Sequence, residues 1–133
     1  MAERTIDRVG LLYVWERKVL VSRNIGNHVW YVPGGKREGD ETDQQTLTRE
    51  VLEEMDAVVE QGSIAYFGTF EAPSCNDPEA IVRMHTYRAR LIGEPIVHSE
   101  IEDLAYFTHE QRRLTGPVDQ LALDRLHVLG LIR

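Results

Sequence analysis

The chain has 133 residues and a formal net charge of −7, with 42% hydrophobic and 28% charged residues. These values fit a single globular domain over residues 1–133, and no apolar run approaches the ~18 residues that a membrane span needs. The acidic balance argues against a duplex nucleic-acid partner, because proteins that bind duplexes carry a basic surface.

The acidic charge also bears on phosphate chemistry. An acidic chain repels phosphate groups unless its electrostatic potential is positive where they bind. A bound divalent cation provides this, because it is a large local positive charge. The N-terminus lacks the apolar stretch of a secretory signal, and the single cysteine, Cys75, has no disulfide partner. A cytoplasmic location is therefore expected.

Strand-like segments occupy the first part of the chain. Residues 9–15 and 18–23 are apolar runs of strand length joined by a short polar turn, which predicts a hairpin. Residues 30–32 are a third strand candidate, ended by the Pro-Gly-Gly turn of residues 33–35.

A helix is predicted to begin near Thr42. Thr42 and Gln45 fit a capping box, and Asp43 suits the first turn. Apolar residues then recur every four positions and define one buried face, formed by Leu47, Val51 and Met55.

Further strands and a second helix follow. Residues 58–70, 81–92 and 104–107 are strand candidates, and Gly116 and Pro117 open a final helix. The buried side of that helix is expected to consist of Val118, Leu121, Ala122, Leu126 and Leu129. Strands before, between and after two helices predict an α/β fold of the α+β type, in which a mixed sheet lies between helices as an α/β/α sandwich.

The first predicted helix concentrates negative charge. Glu50, Glu53 and Glu54 stand at i, i+3 and i+4 and project from one face, which costs stability unless a cation lies among them. Mg²⁺ prefers such oxygen ligands. Arg49 is four residues from Glu53 and can pair with it. The alternative is a solvated helix face, but the glycine turn before the helix lets a backbone carbonyl approach the same cation.

The spacing of these residues resembles the Nudix box. The sequence reads Gly35, five residues, Glu41, seven residues, and then the run Arg-Glu-Val-Leu-Glu-Glu of residues 49–54. Two positions depart from the family pattern: Asp56 replaces a glycine, and Ala57 is small for an aliphatic place. Asp tolerates the positive φ that the glycine normally provides. The resemblance is to compact, MutT-like members of the Nudix hydrolase superfamily.

The resemblance implies a role for each residue of the box. Glu53 and Glu54 would bind Mg²⁺ or Mn²⁺ together with the carbonyl of Gly34. Glu50 would orient or deprotonate the attacking water and also touch metal. Arg49 would position a glutamate of this group, and Glu41 would brace the loop and take a smaller part in catalysis.

Outside the helix, candidate site residues are less specific. Glu100 resembles a metal-binding glutamate that some relatives carry on a later loop; a plain acidic loop is the alternative, and Glu102 is the fallback. The candidate substrate contacts are Arg23, Trp30, Gly35 and Phe70. The aromatic residues can equally serve as packing, and residues 70–78 form a proline-bounded loop of the kind that lies over a substrate.

The resemblance implies a metal-dependent hydrolase that acts on a small nucleotide and cleaves its diphosphate linkage. A nucleoside triphosphate, releasing a monophosphate, suits the compact length, and an ADP-ribose or nucleotide-sugar pyrophosphatase is the alternative. A catalytically inactive nucleotide-binding module is a rival class. An isomerase of the isopentenyl-diphosphate kind is another, and it would need Cys75. Monomer and homodimer both remain open.

Overall fold

The computed structural model describes residues 4–133. The strands are β1 (Arg4–Leu11), β2 (Val14–Trp15), β3 (Lys18–Asn24), β4 (Gly34–Gly35), β5 (Val58–Val59), β6 (Ala65–Pro73), β7 (Ala80–Arg88), β8 (Leu91–Ile92) and β9 (Ile101–Phe107). The helices are α1 (Asp43–Met55) and α2 (Pro117–Val128), with short 3-10 turns at Gln61–Ser63 and His109–Leu114.

The largest sheet is mixed. Its strand order is β4-β1-β7-β6, with β1 and β7 parallel and the other two pairs antiparallel. Strands β2, β3 and β9 form a second, antiparallel sheet, and β5 pairs with β8. The prediction of a mixed sheet is confirmed.

The two helices cover opposite faces of these strands. Successive side chains of a strand point to opposite faces, and β3 shows this directly. Val19 and Val21 pack in one core cluster with the buried side chains of α2, whereas Leu20 packs in the other cluster with those of α1. This arrangement confirms the predicted α/β/α fold.

The start and end of α1 follow the sequence signals. Thr42 accepts a hydrogen bond from the backbone N–H of Gln45, and the Gln45 side chain accepts one from the backbone N–H of Thr42, so the predicted capping box is present. At the C-terminal end, Asp56 adopts φ 51°, the left-handed conformation that the family's glycine usually provides. Asp56 therefore closes the helix as a glycine would.

The predicted hairpin of residues 9–15 with 18–23 is wrong in its first strand. β1 begins at Arg4 and lies between β7 and β4, and only the two residues of β2 pair with β3. The reason is that β1 is a central strand of the mixed sheet. The third candidate, residues 30–32, makes only isolated bridges at Trp30 and Tyr31. The two longest candidates are each divided in two, as β5 with β6 and β7 with β8.

The predicted buried side of α2 is partly wrong. Leu121 is 39% exposed and Leu129 57% exposed, whereas Leu123 is fully buried. Leu129 is not buried because α2 ends at Val128 and the chain then turns, which brings Ile132 back into the core. Leu121 lies outside the buried face, about 100° from Ala122 and about 140° from Leu126 around the helix. Among the helices of residues 4–133, none is both long and apolar enough to cross a membrane.

Candidate active site

Arg49 connects the loop before α1 to the helix itself. Its Nε donates to Glu41 Oε2 at 2.7 Å and its Nη2 donates to Glu41 Oε1 at 2.9 Å, which is a two-bond ion pair. The same guanidinium donates to the carbonyl of Lys36 at 3.0 Å and to Glu50 Oε1 at 2.9 Å. The predicted Arg49–Glu53 pair is also present, at 3.3 Å. One side chain thus orients several carboxylates.

Glu41 is held as a carboxylate. It accepts hydrogen bonds from the backbone N–H of Glu38 at 2.8 Å and from the hydroxyl of Thr46 at 3.0 Å, in addition to those from Arg49. Hydrogen bonding to Arg49, and then to Glu38, lowers the pKa of Glu41 to about 2. Glu41 is therefore an anchor for the loop rather than a group that exchanges protons near neutral pH.

Glu50 lies directly against Gly35. A Cβ added to Gly35 would come within 2.5 Å of Glu50 Cδ, so only glycine leaves this carboxylate its place. The Glu50 side chain is 16% exposed, and burial raises its pKa while Arg49 opposes the rise. A partly buried carboxylate with a raised pKa is suited to accepting a proton from water.

Glu54 is turned toward the glycine turn. Its Oε1 accepts a hydrogen bond from the backbone N–H of Gly34 at 3.0 Å. Gly34 has φ 142°, and a Cβ there would collide with the carbonyl oxygen of Val9. Burial raises the pKa of Glu54 to about 8, and the charge of Glu50 adds to the rise. The charge of Arg8 lowers this pKa but does not offset the effect of burial, so the neutral form of Glu54 is favoured near pH 7.

Glu53 completes the acidic face and is more than half exposed. Residues 4–133 contain no group of three or more His, Cys, Asp or Glu side chains already converged around one point. The carboxylates of α1 instead bind Arg49 and the Gly34 N–H. Their chemistry nevertheless fits a hard divalent cation, because the donors are carboxylate oxygens and Glu54 is a desolvated carboxyl that a cation would stabilise.

A cavity of about 410 Å³ opens beside Glu54 and Gly34. It extends toward the start of α2, where Pro117, Val118 and Asp119 line it. The loop segment of residues 73–77, part of the predicted covering loop, lines another side. Cys75 belongs to this wall, and its Sγ lies 3.4 Å from the hydroxyl of Tyr31.

Two titratable residues in the cavity lining, Asp119 and Arg8, are largely shielded from solvent. Asp119 is 1% exposed, and its Oδ1 accepts a hydrogen bond from the Val32 N–H at 2.8 Å, while its Oδ2 has no partner within residues 4–133. Burial raises the pKa of Asp119, and Arg8 opposes this rise. The Arg8 guanidinium is 4.0 Å from Asp119 Oδ1 and lies over the ring of Tyr31.

Several site residues that the sequence predicted do not line the cavity. Arg23 donates to Glu102 at 3.1 Å and to the Asn27 carbonyl, and it lies over the ring of Trp30. Trp30 and Phe70 both pack against the α2 core cluster. Glu100 is exposed in the turn before β9, where its carbonyl accepts from the Ile25 N–H. Of the predicted site residues, the cavity lining includes Gly34 and Glu54.

Sequence reasoning missed Arg8 and Asp119. Arg8 stands next to an apolar run, and Asp119 occupies the first turn of α2, where acidic residues are common for helix-dipole reasons alone. A charged residue at the edge of an otherwise apolar segment was the one available signal. Only the packing of α2 against the sheet shows that the two meet.

Comparisons with known proteins bear on the family and the fold of this chain. A family model described as the NUDIX domain matches residues 4–126. A search of curated protein sequences gave no significant match.

Solved structures share the fold. A MutT NUDIX hydrolase from Burkholderia pseudomallei aligns with a TM-score of 0.79 at 20% identity, covering 93% of this chain and 99% of that one. The E. coli ORF135 protein aligns at 0.76 and 21% identity, covering 96% and 92%. A MutT protein from Methanosarcina mazei Go1 aligns at 0.74 and 17% identity, covering 98% of both chains.

Proposed function

This chain belongs to the NUDIX family, and we propose that it cleaves the diphosphate linkage of a nucleoside triphosphate or a related nucleotide, releasing a nucleoside monophosphate in the presence of Mg²⁺ or Mn²⁺. One observation carries the proposal: Glu54 and Gly34 belong both to the acidic helix–loop unit and to the wall of the cavity. A ligand in that cavity would therefore meet the carboxyl of Glu54 directly.

Glu50, Glu53 and Glu54 would hold the metal, with the carbonyl of Gly34 as a further oxygen ligand. A bound divalent cation neutralises the diphosphate and lowers the pKa of a bound water. Glu53 and Glu54 are our choice for the direct ligands. Glu100 is a weaker candidate, since its turn is exposed.

Glu50 is proposed to orient the attacking water and to accept its proton. Its carboxylate is fixed between Gly35 on one side and Arg49 on the other. Arg49 acts as a positioning residue, because it holds Glu50 and Glu53 while Glu41 and the Lys36 carbonyl hold it. The loop and helix would thus present the carboxylates in one arrangement before substrate arrives.

The charges around the cavity favour a phosphate ligand. The whole chain carries −7, yet Arg4, Arg8 and Lys36 all line the cavity. Phosphate groups would meet these cations near Glu54. Arg23, Trp30 and Phe70 do not line this cavity, so their proposed substrate contacts have no geometric support. Gly35 contributes by making room for Glu50.

A nucleotide screen tests the function. The protein would be incubated with Mg²⁺ or Mn²⁺ and each of the nucleoside triphosphates, ADP-ribose and nucleotide sugars, and released phosphate, pyrophosphate and monophosphate would be measured separately. Metal-dependent release of a monophosphate is the expected result. No hydrolysis of any nucleotide, together with no uptake of millimolar metal, would favour the inactive binding module.

ADP-ribose or a nucleotide sugar stays the second candidate. The feature that favours it is Pro73, which lies 16 residues beyond Ala57, about where ADP-ribose-cleaving relatives tend to have a proline. Pro73 also lines the cavity. The same screen separates the two, because the preferred substrate would then be a diphosphate diester rather than a triphosphate.

A further inference from the structure

Asp43 joins three parts of the structure through one side chain. Its Oδ1 accepts a hydrogen bond from Arg37 Nε, in the loop before α1 (residues 36–42), at 2.6 Å, and its Oδ2 accepts one from the Tyr87 hydroxyl of β7, also at 2.6 Å. An acidic residue in the first turn of a helix is common for helix-dipole reasons, and that role requires no partner. Both oxygens of Asp43 are nevertheless used by donors from outside the helix, so Asp43 links the loop before α1 to the sheet.

The Asp43 carboxyl is partly shielded from solvent, with 21% of its side chain exposed. Burial raises the pKa of Asp43, but hydrogen bonds from Tyr87 and Arg37 outweigh burial and hold this pKa below its usual value. Burial, and then the bond to Asp43, raises the pKa of Tyr87 to about 12, so the phenol keeps its proton and remains a donor. Hydrogen bonds to an ionised carboxylate are stronger than neutral ones, so both links of Asp43 are of the strong kind.

Tyr87 is a fixed attachment point. Its strand, β7, is hydrogen-bonded on both sides, to β1 and to β6, and the Tyr87 carbonyl accepts a further bond from the Leu12 N–H at 2.8 Å. The Tyr87 ring lies 5.5 Å from the ring of Tyr66, between centroids, and packs against the core cluster that contains the buried face of α1. The hydroxyl is therefore carried by a rigid element.

The loop before α1 reaches the cavity at its first residue. Lys36 lines the cavity, whereas the next residue, Arg37, does not line it and is bonded to Asp43. Gly35, one residue earlier, lies against the carboxyl of Glu50. Because these residues are adjacent in the chain, a movement of Arg37 would displace both the cavity-lining cation and the glycine that makes room for Glu50.

We propose that Tyr87, acting through Asp43 and Arg37, is a positioning residue, because this anchor of three side chains ties the loop before α1 to the sheet and so fixes the end of the loop that lines the cavity. The anchor is separate from the contacts of Arg49, which hold the same loop to α1. The inference rests on the proposed function, since it takes this cavity and the acidic helix as the site of hydrolysis.

Amide hydrogen exchange followed by NMR tests the anchor without any turnover. The Glu38 N–H donates to the Glu41 carboxyl and the Glu41 N–H donates to the Glu38 carbonyl, so these two amides report on the opening of the loop. Tyr87→Phe keeps the ring and removes only the hydroxyl. We expect the two amides to exchange about 5-fold faster in this variant, which corresponds to the loss of one ordinary hydrogen bond, while amides in the middle of α1 stay unchanged.

Tyr66→Phe is the matched control for the exchange measurement. It also removes one tyrosine hydroxyl from the sheet, but Tyr66 is exposed and its hydroxyl lies 2.7 Å from Thr69 Oγ1. Exchange in the loop should therefore match that of the wild type. Unchanged exchange at Glu38 and Glu41 in Tyr87→Phe would overturn the proposal. Faster exchange throughout α1, with no larger change at these two amides, would also overturn it, because the anchor would then stabilise only the helix.

Kinetics with the nucleotide that the screen identifies test whether the anchor positions the site. Tyr87→Phe and Arg37→Met should each lower kcat/KM by about 10-fold, the lower end of the usual effect of losing a group that orients active-site residues. Because each change interrupts the same anchor, the double variant should be no slower than either single variant. Arg37→Lys keeps one donor for Asp43 and should retain most of the wild-type rate. Arg83→Met is the control, since Arg83 makes a comparable 2.7 Å pair with the exposed Glu71, and it should leave kcat/KM unchanged.

Two kinetic results would overturn the positioning role. The first is a wild-type kcat/KM in both single variants, and the second is a double variant in which the two losses multiply, which would mean that Tyr87 and Arg37 act independently. Thermal denaturation establishes that each variant is folded at the assay temperature. The exchange measurement needs no hydrolysis, so a faster loop in a protein that cleaves no nucleotide in the screen would leave the anchor standing while the proposed function fails.

Discussion

Arg49 and Glu41 form a two-bond ion pair, at 2.7 and 2.9 Å, between the middle of α1 and the loop that precedes it. Because Arg49 also donates to Glu50 and to the Lys36 carbonyl, this pair fixes the loop and a carboxylate of the helix at once. The pair therefore connects the local fold of the loop to the position of the groups proposed to act on substrate.

Arg49→Lys is expected to lower turnover by about 10- to 100-fold, the usual effect of removing a group that orients active-site residues. A lysine ammonium cannot make two parallel bonds to Glu41 and still reach Glu50. Steady-state kinetics should show the loss mainly in kcat. Arg90→Lys is the matched control, because Arg90 makes a comparable exposed two-bond pair with Glu60. An equal effect of both changes would contradict the positioning role.

Glu53→Gln and Glu54→Gln are expected to lower turnover by orders of magnitude while the fold survives. The amide removes the negative charge that would bind the cation, so excess Mg²⁺ or Mn²⁺ should restore part of the rate. The measurement is kcat as a function of metal concentration. Near-normal rates in both variants would contradict the metal assignment.

Glu50→Gln should behave differently from those two variants. Metal affinity, measured by calorimetry, should be largely retained, whereas the chemical step should slow by about 10²- to 10⁴-fold, as for loss of a general base. Glu60→Gln provides a control on an exposed glutamate outside the acidic helix. A full rescue of Glu50→Gln by excess metal would show that Glu50 acts chiefly as a metal ligand and not as the general base.

The parts of the fold that the sequence predicted best depend on residues close together in the chain. The cap of α1 involves Thr42 and Gln45, and the apolar face of α1 repeats every four residues, so both are local patterns. The Nudix box is local in the same way, and its spacing predicted the Arg49–Glu53 contact that the structure shows.

The cavity could not be predicted because its walls come from distant segments. Asp119 accepts a hydrogen bond from the N–H of Val32, which is 87 positions away in the sequence. The sequence around either residue does not indicate this contact. The same limit explains β1: pairing with β7 instead of β3 depends on the sheet order and not on the apolar run itself. Trp30 and Phe70 were plausible stacking residues by type, but packing against the α2 core cluster decided their position.

The two adjacent glycines of the turn are expected to respond differently to alanine. Gly35→Ala should displace the Glu50 carboxylate, because the new Cβ would lie 2.5 Å from Cδ, and so lower kcat more than stability. Gly34→Ala should chiefly destabilise the fold, because φ 142° is unfavourable for alanine and the Cβ meets the Val9 carbonyl. Thermal melts and kinetics on the same samples distinguish the two effects.

Gly62→Ala is the control for both changes, since no atom of residues 4–133, apart from its chain neighbours, lies within 4 Å of its added Cβ. It should leave kcat and melting temperature near their wild-type values. A Gly35→Ala protein with wild-type kcat would show that the contact with Glu50 does not constrain catalysis.

Because of the carboxyl of Glu54, the stability of the metal-free protein is expected to depend on pH. Burial raises its pKa from 4.5 to about 8, so the folded chain binds this proton more tightly than the unfolded chain does. The resulting stabilisation is complete below pH 4.5 and is lost as the pH rises through about 8. Glu54→Gln carries a neutral amide at every pH, so the variant does not lose this stabilisation as the pH rises.

The expected result is a difference in Tm that changes with pH in the absence of metal. Wild type and Glu54→Gln should melt at similar temperatures near about pH 4, and the variant should melt progressively higher as the pH rises to about 9, where Glu54 is ionised in the folded wild type. The charge of Glu50 contributes to the raised pKa of Glu54, so the difference between the two proteins includes this coupling. Adding Mg²⁺ at the higher pH should raise the Tm of the wild type and have a smaller effect on the variant, because the cation compensates the buried charge only where that charge exists. A Tm difference that is constant from low to high pH would show that Glu54 is ionised throughout and contradict its burial as a neutral carboxyl.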